Sequence, residues 1–244
     1  MSVDPNDEAL ASLVNAGVPR TMDDVIELMQ RIDALLPGSD GLKWFNLLYL
    51  LVTRRVQENP PVGGFADPRA LAHLDVVFAN LYFSAIGELS RQPQAVPSAW
   101  KALLEARHRV DIDRIQFAIA GMNAHINHDL PIALVQANNE LGIEPDLNSP
   151  QHDDFEKINE ILEAALPQAL EFLATGLLGE IAQDSGRIGR LLALWSVRKA
   201  RDNGWNNSVV LKNIENLPLI RRSFLSSLDK ITGALGRTLL FAFR

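Results

Sequence analysis

Apolar residues recur every three or four positions along most of this chain, which is the spacing of amphipathic helices. The segment 40–58 is representative, because one of its faces carries Leu42, Phe45, Leu48, Tyr49, Val52 and Val56. No stretch alternates apolar and polar residues for long enough to predict a strand. The pattern therefore predicts an all-α fold.

Residues that start and stop helices divide this pattern into segments. Thr21 and Asp24 have the spacing of a capping box, and Asp67 followed by Pro68 has the usual order of a cap and a first-turn proline. The predicted helices cover residues 21–37, 40–58, 67–90, a short segment after 98, 111–141, 153–183, 187–201 and 218–241. Pro167 is expected to kink the helix 153–183.

Two of the predicted helices, 67–90 and 111–141, are apolar on nearly all faces, as buried helices are. We expect them to form the centre of a single-domain multi-helix bundle that covers residues 21–244. Residues 1–20 are polar, small and interrupted by proline, and they predict a flexible N-terminal arm.

The composition excludes several classes of function. Hydrophobic residues make up 47% of the 244 positions, so global disorder is excluded. The net charge of −7 argues against nucleic-acid binding, and the absence of cysteine excludes thiolate catalysis and cysteine-based metal sites. No run near the N-terminus approaches the roughly 20 apolar residues that span a bilayer, and the acidic N-terminus is unlike a secretory signal. We expect a cytoplasmic protein with no nucleic-acid partner and no membrane span.

A cluster of polar residues interrupts the apolar sequence 115–139 at its centre. The cluster consists of Asn123, His125, Asn127, His128 and Asp129. Because an unpaired buried polar group costs about 1–3 kcal/mol, these side chains need partners, and together they form a candidate site. Residues four apart share a helix face, so His125 is expected to meet Asp129, and Asn123 to meet Asn127.

Pro131 marks a second irregularity beside the same cluster. Proline has no N–H to donate to the carbonyl of Asn127, and its ring disfavours helical backbone at Leu130. The helix is therefore expected to kink or to restart next to Asp129. Such local departures from regular structure are typical of functional sites.

Three interpretations of the His125–Asp129 pair remain open. The two residues can hold a divalent metal ion, with other helices completing the ligand set. They can also form an acid–base pair in which the carboxylate orients the imidazole. In the structural alternative, they belong to a buried hydrogen-bond network with His125 neutral and Asp129 capping a helix that starts at Pro131.

Other helices contribute polar residues in apolar surroundings. Asp75 lies among Leu74, Val76 and Val77, so its carboxyl group must be paired or have a raised pKa. The further residues expected to reach the site are Tyr82, Asp154 and Asn159. Arginines at 187, 190, 198 and 201 form a basic stripe, most simply a solvated face, although Arg198 or Arg201 is also a candidate for binding an anionic substrate.

The sequence from Gly121 to Leu130, Gly-Met-Asn-Ala-His-Ile-Asn-His-Asp-Leu, resembles the hallmark of a bacterial family of proteins of unknown function. Segments 74–79 and 154–159 resemble its two flanking motifs, so the resemblance covers most of the chain. In the family pattern the position of His128 varies. The resemblance therefore implies site roles for the other polar residues of the cluster, Asn123, His125, Asn127 and Asp129. The family has no assigned reaction, so the resemblance locates a site without naming its chemistry.

The leading hypothesis is a small-molecule enzyme with a buried His/Asp site on a kinked central helix. The predicted catalytic residues are His125, Asp129 and Asp75. The predicted substrate-binding residues are Asn123, Asn127, Tyr82 and Asn159. If a divalent metal ion is the cofactor, its predicted ligands are His125, Asp129, Asp75 and Asp154. Hydrolysis of an ester or phosphoester by metal-bound water is then the expected reaction.

The alternative is a non-catalytic ligand-binding or interaction protein in which the polar cluster is a structural network. The apolar C-terminal segment 239–243 needs a covering surface. Docking on the core of the same chain is the simplest expectation, and a homodimer interface is the second.

Overall fold

A computed structural model describes residues 5–58, 60–175 and 195–241, and it shows a bundle of α-helices with no strand in those ranges. The described helices are α1 (Pro5–Asn15), α2 (Met22–Leu35), α3 (Gly41–Glu58), α4 (Pro68–Arg91), α5 (Ser98–Ala106), α6 (Arg114–Ala124), α7 (Leu130–Leu141), α8 (Pro150–Thr175), α9 (Val197–Asn213) and α10 (Pro218–Leu239). A π-helical turn, His125–Asp129, joins α6 to α7. The prediction of an all-α bundle is confirmed.

The centre of the bundle is the continuous element formed by α6, the π-helical turn and α7. Every residue of α6 after Arg114 is buried, and α3, α4, α9 and α10 pack around the element. Helix α3 approaches α6 closely, because Gly121 has no side chain where a Cβ atom would lie 2.3 Å from Phe45 Cγ. The central helix is thus buried as its sequence predicted.

Local sequence signals explain where several helices begin and end. The Thr21 hydroxyl accepts from Asp24 N–H at 3.2 Å and the Asp24 carboxylate accepts from Thr21 N–H at 2.9 Å, which completes the predicted capping box of α2. Asp67 caps α4 by accepting from Ala70 N–H at 3.0 Å. Gly142, at φ +67°, ends α7 in the left-handed conformation that glycine adopts without strain.

The N-terminal segment differs from the predicted flexible arm. Residues 5–15 form helix α1, which packs on α4 and places Leu10 and Val14 in the hydrophobic core. Asp7 also pairs with the buried Arg107 at 2.8 Å. The apolar positions in this short polar stretch are few, but they lie on one face and are sufficient for docking.

The C-terminal half also differs from the prediction, at the end of helix α9. Residues 176–194, which include Arg187 and Arg190 of the basic stripe, lie outside the described residues. Helix α9 continues to Asn213 instead of ending at 201, because Trp205, Ser208 and Leu211 carry its buried face onward. Gly204 within it permits close contact, since a Cβ atom there would lie 2.9 Å from Leu130 Cδ2.

One described helix, α4, is long and apolar enough to cross a membrane by length and composition, with a mean hydropathy of 1.4. More than half of its apolar window, 56%, is buried inside the bundle. A core helix passes the same test, so this is weak evidence for a membrane span.

Candidate functional site

The π-helical turn lies at the position where the sequence predicted an interrupted helix. Leu130 N–H donates to the carbonyl of His125, five residues back instead of four. Pro131 follows immediately and has no N–H with which to continue an α-helical ladder. The predicted restart of the helix beside Asp129 is therefore observed as a wider turn, a feature that occurs frequently at functional sites.

The carboxylate of Asp129 is the hub of the buried polar cluster. Its Oδ2 atom accepts from Trp100 Nε1 at 2.9 Å and contacts His125 Nδ1 at 3.1 Å. Its Oδ1 atom contacts His128 Nδ1 at 2.7 Å. The expected pairing of His125 with Asp129 is present, and the two carboxylate oxygens are shared among three donors.

The environment sets the protonation of this hub. Burial alone would raise the pKa of Asp129, but hydrogen bonds from His125 and His128 together lower it. Burial lowers the pKa of His125 and outweighs the opposing effect of Asp129, so this imidazole is neutral near pH 7. For His128, burial is outweighed by Asp129 and Asp229, and the pKa is raised.

These protonation states determine the tautomer of His125. An ionised carboxylate only accepts hydrogen bonds, so His125 Nδ1 carries the proton and donates it to Asp129. Nε2 is then an unprotonated, basic nitrogen. It is buried and has no hydrogen-bond partner among the described residues. The ring is held in place by Phe78, stacked at 3.6 Å between centroids, and by the edge of Tyr49 at 4.6 Å.

A cavity of about 330 Å³ lies beside the His125 ring, between α3, α4, α8, α9 and the π-helical turn. Its wall is mostly apolar, and the polar side chains in it include Tyr49, Asp75, His125 and Arg201. The exposed residues Gln57 and Pro60 are at its rim. An apolar cavity with a few convergent polar groups is the usual form of a small-molecule site.

Asp75 contributes the acidic group of this cavity from α4. The side chain is half-buried by area because it borders the cavity, yet protein atoms surround it on the other sides. This burial raises the pKa of Asp75 to about 7, against the opposing positive charge of Arg201. Both protonation states are therefore populated near neutral pH, as general acid–base chemistry requires.

The model of a family of unknown function (DUF5995) matches residues 22–241, which include the π-helical turn and every polar residue of the cavity. The chain belongs to this family. No curated protein and no solved structure shows significant similarity to the chain. The family therefore brings no assigned activity, and the chemistry has to be argued from the site itself.

Two of the predicted substrate-binding residues face away from the cavity. Asn123 Nδ2 donates to the carbonyl of Thr232 on α10 at 3.0 Å, and Asn123 Oδ1 accepts from Asn127 Nδ2 at 3.0 Å. Asn123 thus attaches α10 to the central helix, and Asn127 holds the Asn123 side chain. The expectation that they contact substrate is not supported by their position.

Two more of these residues also lie outside the cavity wall. Tyr82 is fully buried and its hydroxyl donates to Asn46 Oδ1 at 3.2 Å. Asn159 is fully buried as well, but its Oδ1 atom accepts from Arg201 Nε at 2.5 Å. Asn159 therefore acts on the cavity indirectly, by holding the arginine that lines it.

The predicted metal-ligand set is not assembled. Asp154 accepts from the backbone N–H groups of Ala66 and Asp67, both at 2.7 Å, and so anchors the start of α4 to α8. Asp129 is occupied by N–H donors and does not line the cavity. Within the described ranges, no group of three or more His, Asp or Glu side chains is placed to hold a metal ion.

Sequence reasoning missed several neighbours of the site. Trp100, Tyr49 and Phe78 surround His125, but each lies in an apolar stretch of its helix, where the sequence predicts only that an aromatic residue belongs to the hydrophobic core. His128 makes the shortest contact with Asp129, although the resemblance implies site roles only for the other polar residues of the cluster. Arg201, only a minor candidate in the sequence, is the cation of the cavity.

Proposed function

We propose that this protein is an enzyme that binds a small, mostly apolar molecule in the cavity and transfers protons through His125. In this proposal His125 is the general base, Asp129 orients it, and Asp75 is a second acid–base group. A cytoplasmic location and a homodimer formed through the C-terminal segment, where Phe241 is 72% exposed, belong to the same proposal.

The observation that carries the proposal is the Nε2 atom of His125 at the cavity wall, which has no hydrogen-bond partner in the part of the chain that the structure describes. Leaving a buried polar atom without a partner costs about 1–3 kcal/mol, so this atom lowers the stability of the empty protein and would gain a partner from a bound molecule. A neutral imidazole held by a carboxylate at Nδ1 and free at Nε2 is the arrangement that general bases use.

Hydrolysis of an apolar ester is the reaction to test first. His125 Nε2 can take the proton from an attacking water, and protonated Asp75 can supply one to the leaving group. The reaction uses groups that line one cavity, and it requires no metal-ligand cluster. The probe is p-nitrophenyl octanoate, whose chain suits an apolar cavity.

The test compares His125→Asn with the matched variant His73→Asn. Asparagine at 125 keeps an N–H donor for Asp129 but has no basic nitrogen, whereas His73 pairs with Glu140 on the surface at 2.7 Å. We expect His125→Asn to lose at least about 100-fold in kcat/KM, the usual contribution of a general base, and His73→Asn to keep wild-type activity. Equal activity in the two variants would contradict a catalytic role for His125.

A second candidate function is ligand binding without catalysis. It is favoured by one observation, that the His125 and Asp129 side chains are 1% and 3% exposed, so little of either side chain is presented to a molecule in the cavity. This candidate predicts that the wild type binds apolar molecules but does not accelerate ester hydrolysis. If the wild type hydrolyses the ester and His125→Asn does not, the protein is an enzyme and the binding candidate is wrong.

A further inference from the structure

Arg201 is a buried cation that faces the cavity. It lies on α9 with 6% of its surface exposed, its Nε donates to Asn159 Oδ1, and its guanidinium carbon lies 4.2 Å from the ring centroid of Phe155. Asn159 is itself held by Asp202 at 3.3 Å and by Glu156 at 3.2 Å. Asn159 and Phe155 therefore hold the guanidinium in place, and the fold sets its position relative to the cavity.

The charge of Arg201 has no direct ionic contact with another described residue. Burial lowers the pKa of Arg201 to about 10, so the group remains cationic at neutral pH. The other buried arginine in the described ranges, Arg107, forms hydrogen bonds with both oxygens of Asp40 and pairs with Asp7. Arg201 forms no such salt bridge within the described ranges, although a buried charge is costly unless paired.

Asp75, an acidic side chain in the cavity wall, is a poor counter-ion for Arg201. Its charge acts on Arg201 at a distance, and its carboxyl group is protonated in about half of the molecules near pH 7. A protonated carboxyl group donates a hydrogen bond instead of supplying a negative charge. The cavity thus presents two polar groups to a ligand. Arg201 carries a fixed positive charge, and the carboxyl group of Asp75 can donate a hydrogen bond when it is protonated.

We propose that Arg201 binds the carboxylate of an apolar monocarboxylic acid, with Asp75 as a second hydrogen-bond partner and the hydrocarbon part of the ligand in the cavity. This inference rests on the proposed function of the cavity as a small-molecule site and names its ligand class. The acid is the product, or the acyl part of the substrate, of the proposed ester hydrolysis.

The rest of the cavity supports an apolar tail and a single negative charge. Beyond the polar groups, the wall includes Val52, Val56, Phe65, Leu71 and Leu162. The volume of about 330 Å³ is near the lower end of the ~300–1,000 Å³ range of small-molecule sites. A dianion such as a phosphate monoester is disfavoured for two reasons. Its two negative charges would meet a single arginine, and the neighbouring carboxyl group of Asp75 becomes negative as the pH rises.

The experiment measures binding of octanoate, octan-1-ol and octylammonium to the full chain by isothermal titration calorimetry at pH 6. We expect octanoate to bind at least about tenfold more tightly than octanol, because a charge-assisted hydrogen bond exceeds a neutral one, and octylammonium not to bind. Arg201→Met should abolish the preference for octanoate and leave octanol binding in place.

Arg198→Met is the matched control. Arg198 lies one turn earlier on α9, but it pairs with Glu156 and Glu163 at the surface, so this variant removes the same charge outside the cavity. It should retain the preference for octanoate. Binding of octanol by Arg201→Met also shows that this variant is folded, and Arg201→Lys should restore part of the preference.

Failure of this inference can be told apart from failure of the proposed function. If the wild type binds octanol as tightly as octanoate, or if Arg201→Met keeps the preference, the carboxylate site is wrong and the apolar cavity stands. If the wild type binds none of the three probes, the proposed small-molecule site is wrong as well.

A pH series tests the part assigned to Asp75. The titratable groups that line the cavity include Tyr49 from α3, Asp75 from α4, His125 from the π-helical turn and Arg201 from α9, with Glu156 of α8 acting on Arg201 from behind. Ionised Asp75 repels a bound carboxylate, so octanoate affinity should fall about tenfold between pH 6 and pH 8. Asp75→Asn should abolish this fall, and a wild-type affinity independent of pH would remove Asp75 from the site.

Discussion

The two sides of the central helix treat their buried polar groups in opposite ways. Toward α10, the amide groups of Gln116, Asn123 and Asn127 all donate hydrogen bonds, and three of the acceptors are backbone carbonyls on or next to α10. Toward the cavity, His125 Nε2 has no partner in the described ranges, and Arg201 and Asp75 form no direct salt bridge with each other. On the side of α10 the amide groups are hydrogen-bonded within the protein, whereas on the cavity side polar groups remain available to a ligand.

The difference separates a structural role from a binding role within one polar cluster. A network in which every donor has an acceptor stabilises the packing of its helices and has nothing to offer a ligand. Groups that lower stability in the empty protein gain their partners when a ligand enters. Substitutions on the side of α10 should therefore lower stability and leave ligand binding unchanged. Substitutions on the cavity side should change ligand binding and can raise stability.

The largest effect on stability is expected at the hub between the two sides. Asp129→Ala leaves Trp100 Nε1, His125 Nδ1 and His128 Nδ1 without their acceptor in the interior. Removing one partner of a buried charged pair costs about 3–5 kcal/mol, and we expect a loss of that size in the free energy of unfolding measured by urea denaturation at pH 7. A loss below about 1 kcal/mol would show that the network is not what holds the turn.

On the cavity side, Asp75→Asn should stabilise the protein. The carboxyl group has a pKa of about 7 in the folded chain and 3.8 when free, so ionisation disfavours folding as the pH rises from about 4 to 7. Asparagine removes that cost, and the gain should reach up to about 4 kcal/mol at pH 8 and vanish below pH 4. Denaturation curves of both proteins at pH 4 and pH 8 check the sign; a loss of stability at pH 8 would contradict the burial of this charge.

On the side of α10, Asn123→Ala should cost stability without changing binding. The carbonyl of Thr232 loses its donor and Asn127 loses its acceptor, which predicts a loss of about 1–2 kcal/mol. The affinity for octanoate should equal that of the wild type, because neither amide reaches the cavity. A change in octanoate affinity larger than the calorimetric error would mean that the two sides are coupled.

The smallest effect is expected at His128, which belongs to the network side. Its raised pKa stabilises the folded protein fully below pH 6.5, and this contribution is lost as the pH rises through the folded pKa. His128→Gln should therefore cost about 1 kcal/mol at pH 6 and less at pH 9. A cost that is the same at both pH values would indicate that His128 is neutral and acts by packing alone.

Periodicity and cap chemistry were sufficient to predict most of the fold. The boundaries of α2, α3, α4 and α7 were found within a few residues, because Thr21, Asp67, Pro68 and Gly142 are local signals. Helix α1 was missed because its apolar face is short and its stability comes from docking on α4. The continuation of α9 was missed because Gly204 and the asparagines near it resemble a loop until packing against Leu130 is known.

The site was predictable only along a single helix. The pairing of His125 with Asp129 follows from a spacing of four residues, and the irregular backbone follows from Pro131. Contacts between helices have no such local signal, so the sequence could not show that Asn123 faces α10 or that Asp154 anchors a loop. Arg201 was weighed as a surface charge, since its burial depends on the approach of α8 and Phe155.

The π-helical turn that carries His125 and Asp129 also has a consequence for how such a site can arise. A π-helical hydrogen bond joins residues five apart, whereas an α-helical one joins residues four apart. The turn therefore contains one amino acid more than an α-helical turn. Deleting Asn127, the one residue between Ile126 and His128, would bring α6 and α7 closer to the register of a single helix, with Pro131 as the remaining interruption. The wide turn that carries His125 and Asp129 therefore differs from an ordinary helical turn by one additional residue.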